Sequence, residues 1–327
     1  MDNRYLITGS AGFIGSSLVR RLLSEDNSIL GVDNINHYYS QDLKRDRLND
    51  LNIYSKKLNL TSNHYQFKEL DLKDQESLDK IIDEFKPTCI CHFAAQPGVR
   101  FSIDNPKESV LDNILPTLNL LESARKFGIR DFIFSSSSSV YGKNTQVPFH
   151  EDSSINKQIS VYASSKAACE SLCHTYHSLS GIRIRILRFF TVYGPWGRPD
   201  MSYFLFTKSF FEGGVINIFN KGDMFRDFTY IEDIIDGFVS AIKEPLDFEV
   251  INLGCGNPVK LEDFIKTLEE IIGLEVKKNN LPMQPGDVYK TWADITKAKR
   301  LLNYEPKTSI NEGLLNFVEW YKSYYNL

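Results

Sequence analysis

No apolar run in this 327-residue sequence approaches the ~18 residues that a membrane-spanning helix needs. The first residues also lack the apolar core of a signal peptide. Glycine and proline are scarce, with 19 and 12 residues, and this excludes collagen-like and low-complexity chains. We therefore expect a soluble globular protein of the cytoplasm that has no membrane partner.

A strong excess of charge is missing as well. The 38 lysines and arginines nearly balance the 42 aspartates and glutamates, which leaves a net charge of −4. Nucleic acids and anionic membranes are bound by concentrated positive charge, so neither is an expected partner. The proportions of hydrophobic residues (42%) and charged residues (24%) exclude wholesale disorder. The length allows two domains.

Cysteine is infrequent, and its five residues are an odd number. Secreted disulfide frameworks are short and evenly paired, so no such framework is expected. Cys169, Cys173 and His177 are spaced i, i+4, i+8 and would share a helix face, with His174 beside them. Small apolar cysteines packed on a helix are the commoner case, and a metal site is the alternative. No metal is predicted.

Strand-like and helix-like patterns alternate through the first half of the sequence. The predicted strands are 5–7, 29–33, 65–71, 88–93, 131–135 and 183–189, and the predicted helices begin at 13 and cover 77–85, 106–127 and 161–179. The polar residues 36–64 are interpreted as a surface excursion with a short helix. Such alternation predicts an α/β protein with a doubly wound parallel sheet.

The alternation ends near residue 190, because residues 191–200 contain two glycines and two prolines. We predict a first domain of residues 1–190 with a return segment at about 227–252, in which 227–243 is a helix. Residues 191–226 and 253–327 are predicted to form a smaller α/β substrate-binding lobe.

Three glycines follow the first predicted strand directly and open the first helix. Gly9 permits a tight turn, Gly12 allows a pyrophosphate to approach the backbone, and Gly15 allows close packing of helix and strand. Phosphates would meet free N–H groups at the positive end of the helix. Asp33 ends the second strand, where a carboxylate accepts hydrogen bonds from the ribose hydroxyls and repels a 2′-phosphate. The pattern favours NAD over NADP; the alternatives are a turn without ligand and a capping aspartate.

Tyr162 and Lys166 are spaced i, i+4, which places phenol and ammonium on one helix face. A phenol with the usual pKa of about 10 is a poor base at pH 7, and lowering that pKa by ~3 units requires about 4 kcal/mol. A nearby lysine and an oxidised nicotinamide supply charge of the right sign. The alternative is an exposed tyrosine beside a solvated lysine.

Five consecutive serines, residues 135–139, follow the predicted strand at 131–135. The predicted strand at 88–93 ends in a second polar cluster, residues 92–96. In open parallel sheets ligands bind beyond the carboxyl ends of the strands, so both clusters are expected at one ligand-binding edge. The alternative for the serines is a flexible linker.

Taken in order, the patterns GxxGxxG, a following aspartate, HxAA, SSSxxVYG and YxxxK resemble the extended short-chain dehydrogenase/reductase family of nucleotide-sugar epimerases and dehydratases. The resemblance covers nearly the whole chain. It is closest to the UDP-glucuronate 4-epimerases in three segments, 187–201, 226–230 and 284–287. It implies a Rossmann-type fold, NAD as cofactor, a UDP-sugar substrate and a homodimer that pairs the helices at 106–127 and 161–179.

The resemblance also implies roles for individual residues. The catalytic residues would be Ser137, Tyr162 and Lys166. The residues that would contact NAD are Gly9, Gly12, Phe13, Ile14, Gly15, Asp33, Asn34, Asp71, Leu72, Ala94, Ala95, Gln96, Asn113, Tyr162 and Lys166. The residues that would contact the substrate are Ser138, Ser139, Thr191, Arg198, Arg226 and Asp287.

The implied reaction is 4-epimerisation of a UDP-hexuronate through a transient 4-keto sugar. Thr191 stands where UDP-galactose epimerases have asparagine, and the serine run lacks the acidic residue of the dehydratases and decarboxylases. Three alternatives stay open: a UDP-galactose/UDP-glucose 4-epimerase, a 4-epimerase of N-acetylated UDP-hexuronates, and a non-catalytic NAD-binding scaffold. Arg198 is expected to hold the sugar carboxylate, and its alternative is a loop ion pair.

Overall fold

A computed structural model describes residues 3–61, 64–143, 146–283 and 287–327. The first elements are β1 (Arg4–Thr8), α1 (Phe13–Leu23), β2 (Ser28–Asp33), α2 (Gln41–Lys57), β3 (Tyr65–Glu69), α3 (Gln75–Phe85), β4 (Cys89–His92), α4 (Phe101–Asp104), α5 (Pro106–Phe127), β5 (Asp131–Ser137), α6 (Val161–Ser180) and β6 (Arg183–Phe189). The later elements are β7 (Thr191–Tyr193), α7 (Ser202–Phe211), β8 (Val215–Phe219), β9 (Phe225–Arg226), β10 (Phe228–Tyr230), α8 (Ile231–Lys243), β11 (Phe248–Leu253), β12 (Val259–Lys260), α9 (Leu261–Ile272), β13 (Lys277–Leu281), β14 (Lys290–Thr291), α10 (Thr296–Leu302) and α11 (Ile310–Tyr325).

Seven strands form the central sheet in the order β11-β6-β5-β4-β1-β2-β3. β1 pairs in parallel with both β2 and β4, so the strand order reverses between β1 and β4. This order is that of a doubly wound dinucleotide-binding sheet, in which ligands bind outside the carboxyl ends of the strands at the reversal. The predicted Rossmann-type α/β fold is confirmed.

The two long helices of the sheet domain begin and end at local signals in the sequence. α5 has a proline in its first turn and ends at Gly128 in the left-handed conformation. α6 begins after Ser160, whose hydroxyl accepts the Ala163 N–H, and ends at left-handed Gly181. Serine caps an N-terminus by taking up a free N–H, and glycine adopts the left-handed geometry at little cost. The two helices pack against each other.

The core around the central sheet is apolar and shielded from solvent. Leu6, Ile90, Phe132 and Phe134 have 0% exposure and pack with buried residues of α3, α5 and α6. Aromatic and aliphatic groups of this size each contribute about 1.5–3 kcal/mol on burial. The strands are therefore rigid supports for the residues at their carboxyl ends.

Two predicted elements differ from the structure. Residues 36–64, expected to hold a short helix, contain the 17-residue α2, which was missed because its buried face includes Lys44 and Arg47 among leucines. The helix predicted from residue 227 begins only at Ile231, because residues 228–230 are a strand that pairs with β7. Among the described residues, no helix is both long and apolar enough to cross a membrane.

The chain divides into two compact units. Unit 1 comprises Met1–Gly142, Ile155–Arg188 and Phe238–Ile251. Unit 2 comprises Lys143–Ser154, Phe189–Gly237 and Asn252–Leu327, and it contains three small sheets, β10-β7, β12-β9-β14 and β13-β8. In unit 2, α7 and α11 pack through aromatic rings, among them Phe204 and Phe317.

Candidate active site

The glycine turn after β1 has no room for side chains. Gly9 has a φ of +70°, and a Cβ there would lie 2.7 Å from the Ala94 backbone nitrogen. A Cβ on Gly15 would lie 2.2 Å from the Gly9 carbonyl oxygen. The N-cap of α1 is Gly12, so no side chain covers the first free N–H groups of this helix. A turn of this kind leaves the positive helix end open to a phosphate.

Asp33 lies beside the glycine turn. Its carboxylate accepts the Ala11 N–H at 3.1 Å and the Ile35 N–H at 2.9 Å. Burial raises the pKa of Asp33, and the Ile35 N–H and the charge of Lys44 offset part of that shift. Burial in turn lowers the pKa of Lys44 to about 8. The carboxylate is thus held in a fixed orientation at the end of β2.

Asn113 of α5 ties the loop after β4 to α6. Its side-chain oxygen accepts the Gln96 N–H at 2.6 Å, and its amide nitrogen donates to the Ser165 hydroxyl at 2.8 Å. Ser165 donates to the carbonyl oxygen of Tyr162 at 2.8 Å. Asn113 is 1% exposed, so these bonds form a buried connection between the predicted cofactor loop and the predicted catalytic helix.

The histidine of the HxAA pattern connects strands and helix within the core. His92 Nδ1 lies 2.7 Å from the Thr8 hydroxyl, and Nε2 lies 3.0 Å from the Thr117 hydroxyl. Burial, with a smaller contribution from Lys166, lowers the pKa of His92 well below its usual value. The ring is therefore neutral at pH 7, and Ala94 donates its N–H to Thr8 at 3.3 Å beside it.

The remaining predicted cofactor residues lie at the start of α1 and on the loops that follow β2, β3 and β4. Phe13 and Leu72 are buried, Ile14, Asp71 and Ala95 are half-buried, and Asn34 is exposed. The structure therefore brings the predicted cofactor residues to the carboxyl edge of one sheet.

The serine run is ordered and is not a linker. It forms the end of β5 and a turn of 3-10 helix over Ser138–Tyr141. The Ser137 hydroxyl accepts the Ser139 N–H at 3.2 Å and donates to the Ser139 hydroxyl at 3.0 Å. Ser137, Ser138 and Ser139 are half-buried, so their hydroxyls remain reachable by a ligand at the sheet edge.

Tyr162 and Lys166 occupy the first turns of α6, which packs against β5 and the 3-10 turn. Tyr162 is half-buried, whereas Lys166 is 4% exposed. The Lys166 ammonium donates to the Ser135 carbonyl oxygen at 2.8 Å and lies 4.8 Å from the centre of the Phe134 ring. Phenol, ammonium and serine hydroxyls thus come from adjoining elements of unit 1.

In unit 2 the structure pairs two of the predicted substrate residues. The Arg226 guanidinium lies 3.7 Å from the Asp287 carboxylate and donates to the carbonyl oxygens of Phe225 and Tyr289. Thr191 donates its N–H to the Asp227 carbonyl at 3.0 Å, and its side chain is half-buried. The other residues of the 284–287 pattern, Gln284 to Gly286, lie outside the described residues.

Arg198 of unit 2 forms an ion pair within its own loop. Its Nε and Nη2 donate to the two carboxylate oxygens of Asp200 at 3.0 and 2.5 Å. This arrangement is the alternative considered for Arg198 from the sequence. A substrate carboxylate at Arg198 would have to share the guanidinium with Asp200 or displace it.

The cysteines and histidines of α6 take part in packing and in hydrogen bonds. Cys169 and Cys173 have 0% exposure, and the Cys169 thiol donates to the Asn113 carbonyl. His177 Nδ1 lies 2.9 Å from the Ile182 carbonyl oxygen. Within the described ranges, no group of three or more histidine, cysteine or acidic residues is placed to hold a metal.

Comparisons with known proteins agree with this geometry. A model of the NAD dependent epimerase/dehydratase family matches residues 5–254. The chain belongs to this family. The predicted membership is confirmed, and NAD, the family cofactor, fits the side-chain-free turn and the oriented carboxylate of Asp33.

Several members of the family are similar along the whole chain. A UDP-glucuronate 4-epimerase of Thermodesulfobacterium geofontis is 45% identical over 319 residues, 97% of this chain and 96% of the relative. A UDP-glucuronic acid 4-epimerase of Bacillus cereus, solved with UDP-glucuronic acid and NAD, matches with a TM-score of 0.89, 37% identity and coverage of 98% of this chain and 100% of that chain. A UDP-glucose 4-epimerase of Thermotoga maritima, solved with UDP-glucose, matches with a TM-score of 0.87, 31% identity and coverage of 98% and 99%.

Some charged residues near the site were not found from the sequence. Lys44 and Arg47 lie beside Asp33 and the glycine turn, where Arg47 donates to the Ala11 carbonyl at 3.0 Å. Glu170 and Arg188 form a buried ion pair behind the serine run. Lys44 and Arg47 lie on α2, Glu170 lies on α6 and Arg188 lies on β6, and only the fold shows that these charges are buried.

Proposed function

We propose that this member of the epimerase/dehydratase family interconverts UDP-glucuronate and UDP-galacturonate by inverting the configuration at C4. The observation that carries the proposal is full-length similarity to UDP-glucuronate 4-epimerases, one of them solved with UDP-glucuronic acid and NAD. The placement of Tyr162, Lys166 and Ser137 on adjoining elements of unit 1 supports the same chemistry. The activity is that of a carbohydrate isomerase.

The chemical roles are assigned to three residues. Tyr162, as phenolate, takes the proton of the C4 hydroxyl and later returns a proton to the C4 oxygen on the other face of the ring. Lys166 favours the phenolate by its positive charge, and Ser137 donates a hydrogen bond to the reacting oxygen. NAD, when bound, would supply the acceptor and then the donor of the C4 hydride, so the cycle would have no net redox change and would need no second substrate.

Cofactor binding is assigned to unit 1. Gly9, Gly12 and Gly15 admit the pyrophosphate at the start of α1, and Asp33 receives the adenosine ribose hydroxyls. Asp71 and Leu72 would face the adenine. The other residues that would contact NAD are Phe13, Ile14, Asn34, Ala94, Ala95, Gln96, Asn113, Tyr162 and Lys166. The proposed NAD-binding domain is residues 1–190 with 227–252, of which 143–154, 189–190, 227–237 and 252 lie in unit 2.

Substrate binding is assigned to the serine turn and to residues of the proposed lobe, 191–226 and 253–327. Ser138 and Ser139 would hold sugar hydroxyls. Arg226 would bind the UDP phosphates, and Asp287 the uridine ribose. The 3.7 Å pairing of Arg226 with Asp287 supports a shared nucleotide site. Thr191 and Arg198 would hold the C6 carboxylate.

The substrate is tested by measuring kcat/KM for UDP-glucuronate, UDP-glucose and a UDP-N-acetylhexosaminuronate under one set of conditions. The proposal predicts the highest value for UDP-glucuronate, by at least tenfold. A higher value for UDP-glucose would favour the activity named for the Thermotoga maritima neighbour. No turnover of any of the three would favour the NAD-binding scaffold.

Asp33→Ala is expected to weaken NAD binding by about 10–100-fold, because hydrogen bonds to a charged acceptor contribute about 1.5–3 kcal/mol. It should also narrow the preference for NAD over NADP, since the charge that repels a 2′-phosphate is removed. Binding is measured by titration of both cofactors. Asp50→Ala, which removes an exposed carboxylate of α2, is the control and should bind NAD as the wild type does. Unchanged NAD retention in Asp33→Ala would contradict the ribose assignment.

We also propose a homodimer in the cytoplasm. Cysteines without disulfide bonds support the cytoplasmic location. The proposed dimer face consists of exposed apolar side chains on α4 and α5, namely Ile103, Val110 and Leu111, which a second copy of the chain would cover. Leu111→Glu should therefore shift the protein from dimer to monomer in light scattering. Leu274→Glu, at a similarly exposed leucine of unit 2, should not. If both variants remain dimeric, this face is not the interface.

A further inference from the structure

Two buried residues of opposite charge stand one turn apart on α6. Lys166 is 4% exposed and Glu170 is 6% exposed, and their spacing is i, i+4. Lysine and glutamate at this spacing are neighbours on a helix surface and form ion pairs. Their attraction is stronger in a buried setting than in water. A direct Lys166–Glu170 ion pair is therefore within reach on this helix face.

The structure has a different arrangement. The Lys166 ammonium donates to the Ser135 carbonyl oxygen at 2.8 Å, and no carboxylate of the described residues pairs with it. Both oxygens of Glu170 are instead taken by Arg188, whose Nε and Nη2 lie at 3.0 and 2.7 Å. The Ser136 hydroxyl adds a third hydrogen bond to Glu170 at 2.5 Å. Three hydrogen bonds from donors other than Lys166 thus hold the Glu170 carboxylate.

Arg188 is well suited to hold the carboxylate permanently. It is 3% exposed, its planar fork matches the two oxygens of Glu170, and its third donor group reaches the Tyr141 hydroxyl at 3.0 Å. Burial works against its charge, but the hydrogen bond and charge of Glu170 prevail and raise the pKa of Arg188. Arg188 therefore stays charged at every pH at which the enzyme works.

We propose that Arg188 is a positioning residue, which by occupying both oxygens of Glu170 prevents that carboxylate from capturing Lys166. Lys166 then remains available to Tyr162 and to the cofactor. The inference rests on the proposed function only in taking Tyr162 and Lys166 as the working pair. Neither Arg188 nor Glu170 needs to touch the substrate.

The test is a cycle of three variants that keep hydrogen-bonding capacity and differ in charge: R188Q, E170Q and E170Q/R188Q. R188Q alone removes the Arg188 guanidinium and keeps the negative charge of Glu170. We therefore expect Glu170 to draw Lys166 away from Tyr162 in this variant only. We expect kcat for UDP-glucuronate to fall about 100-fold in R188Q, the range for loss of general-base assistance, with KM changed less than threefold. The kcat of the double variant should be at least tenfold higher than that of R188Q.

Arg185 provides the matched control for stability. It is a second buried arginine of β6, 1% exposed, and pairs with the Asp131 carboxylate at 2.6 Å. R185Q should lower Tm about as much as R188Q does and leave kcat within threefold of the wild type. If R188Q is not recovered folded, R188M and E170Q/R188M carry the same comparison, because methionine also leaves the Glu170 charge without a cationic partner.

Two results would overturn the proposal. One is a double variant whose kcat is as low as that of R188Q, since removal of the Glu170 charge should leave nothing to draw Lys166 away from Tyr162. The other is a crystal structure of R188Q in which the Lys166 ammonium still bonds to the Ser135 carbonyl and not to Glu170. We expect the ammonium to lie within hydrogen-bond distance of Glu170 in this variant. The crystallographic result does not depend on the substrate, so it distinguishes failure of this inference from failure of the proposed epimerase activity.

Discussion

Tyr162→Phe is expected to lower kcat for UDP-glucuronate by about 10³-fold, because a phenyl ring cannot accept the C4 hydroxyl proton and general-base assistance contributes about 10²–10⁴-fold. Fold and NAD retention should not change, since the side chain is only half-buried and its backbone carbonyl keeps the bond from Ser165. The measurement is kcat by product analysis, together with the Tm and the bound NAD of the purified variant.

The control for this result is Tyr176→Phe on the same helix. Tyr176 donates to Glu122 and lies away from the serine turn, so its loss should leave kcat within twofold of the wild type. A Tyr162→Phe variant that keeps more than a tenth of the wild-type rate would mean that another group is the base.

Arg198→Ala is expected to have the second large effect on catalysis. It should lower kcat/KM for UDP-glucuronate by roughly 2–4 kcal/mol, the range for truncating one partner of a buried charge pair, mainly by raising KM. UDP-glucose has no carboxylate and should be affected much less. The measurement is kcat/KM for both sugars with the same preparation.

The carboxylate also has to be restrained during the reaction. Oxidation at C4 makes a β-keto acid, because the C4 carbonyl is then two carbons from the C6 carboxylate. Such an acid loses CO2 when the C5–C6 bond aligns with the carbonyl π system. In Arg198→Ala a small fraction of turnovers should therefore release CO2 and a 4-keto pentose nucleotide, with the cofactor left reduced.

Asp200→Asn separates the two roles of Arg198, since the structure pairs these residues through two hydrogen bonds. A carboxylate-binding Arg198 predicts that Asp200→Asn keeps the preference for UDP-glucuronate that Arg198→Ala loses. Equal losses on both sugars in both variants, without CO2, would leave Arg198 as a loop ion pair only.

Most of the sheet domain follows from local patterns. The apolar runs that became β1, β2 and β6 are short and bounded, and the glycine turn, Asp33 and the serine run each sit where a strand ends. Because the carboxyl ends of parallel strands meet at one edge, order along the chain was enough to predict that these residues share an edge.

The parts that could not be predicted depend on tertiary contacts. α2 was underestimated because Lys44 and Arg47, both buried, were interpreted as surface charges. The pairing of Glu170 with Arg188 joins a helix to a strand, so spacing within α6 points instead to Lys166. The pairing of Arg198 with Asp200 was visible as a possibility, but only the loop conformation decides it.

Epimerisation at C4 by a hydride that never leaves the enzyme can be tested with UDP-glucuronate that carries deuterium at C4. The labelled substrate is incubated in ordinary water with the purified protein and no added cofactor, and the products are analysed by NMR. We expect UDP-galacturonate with the deuterium retained at C4. Deuterium lost to solvent, or no UDP-galacturonate at all, would contradict it.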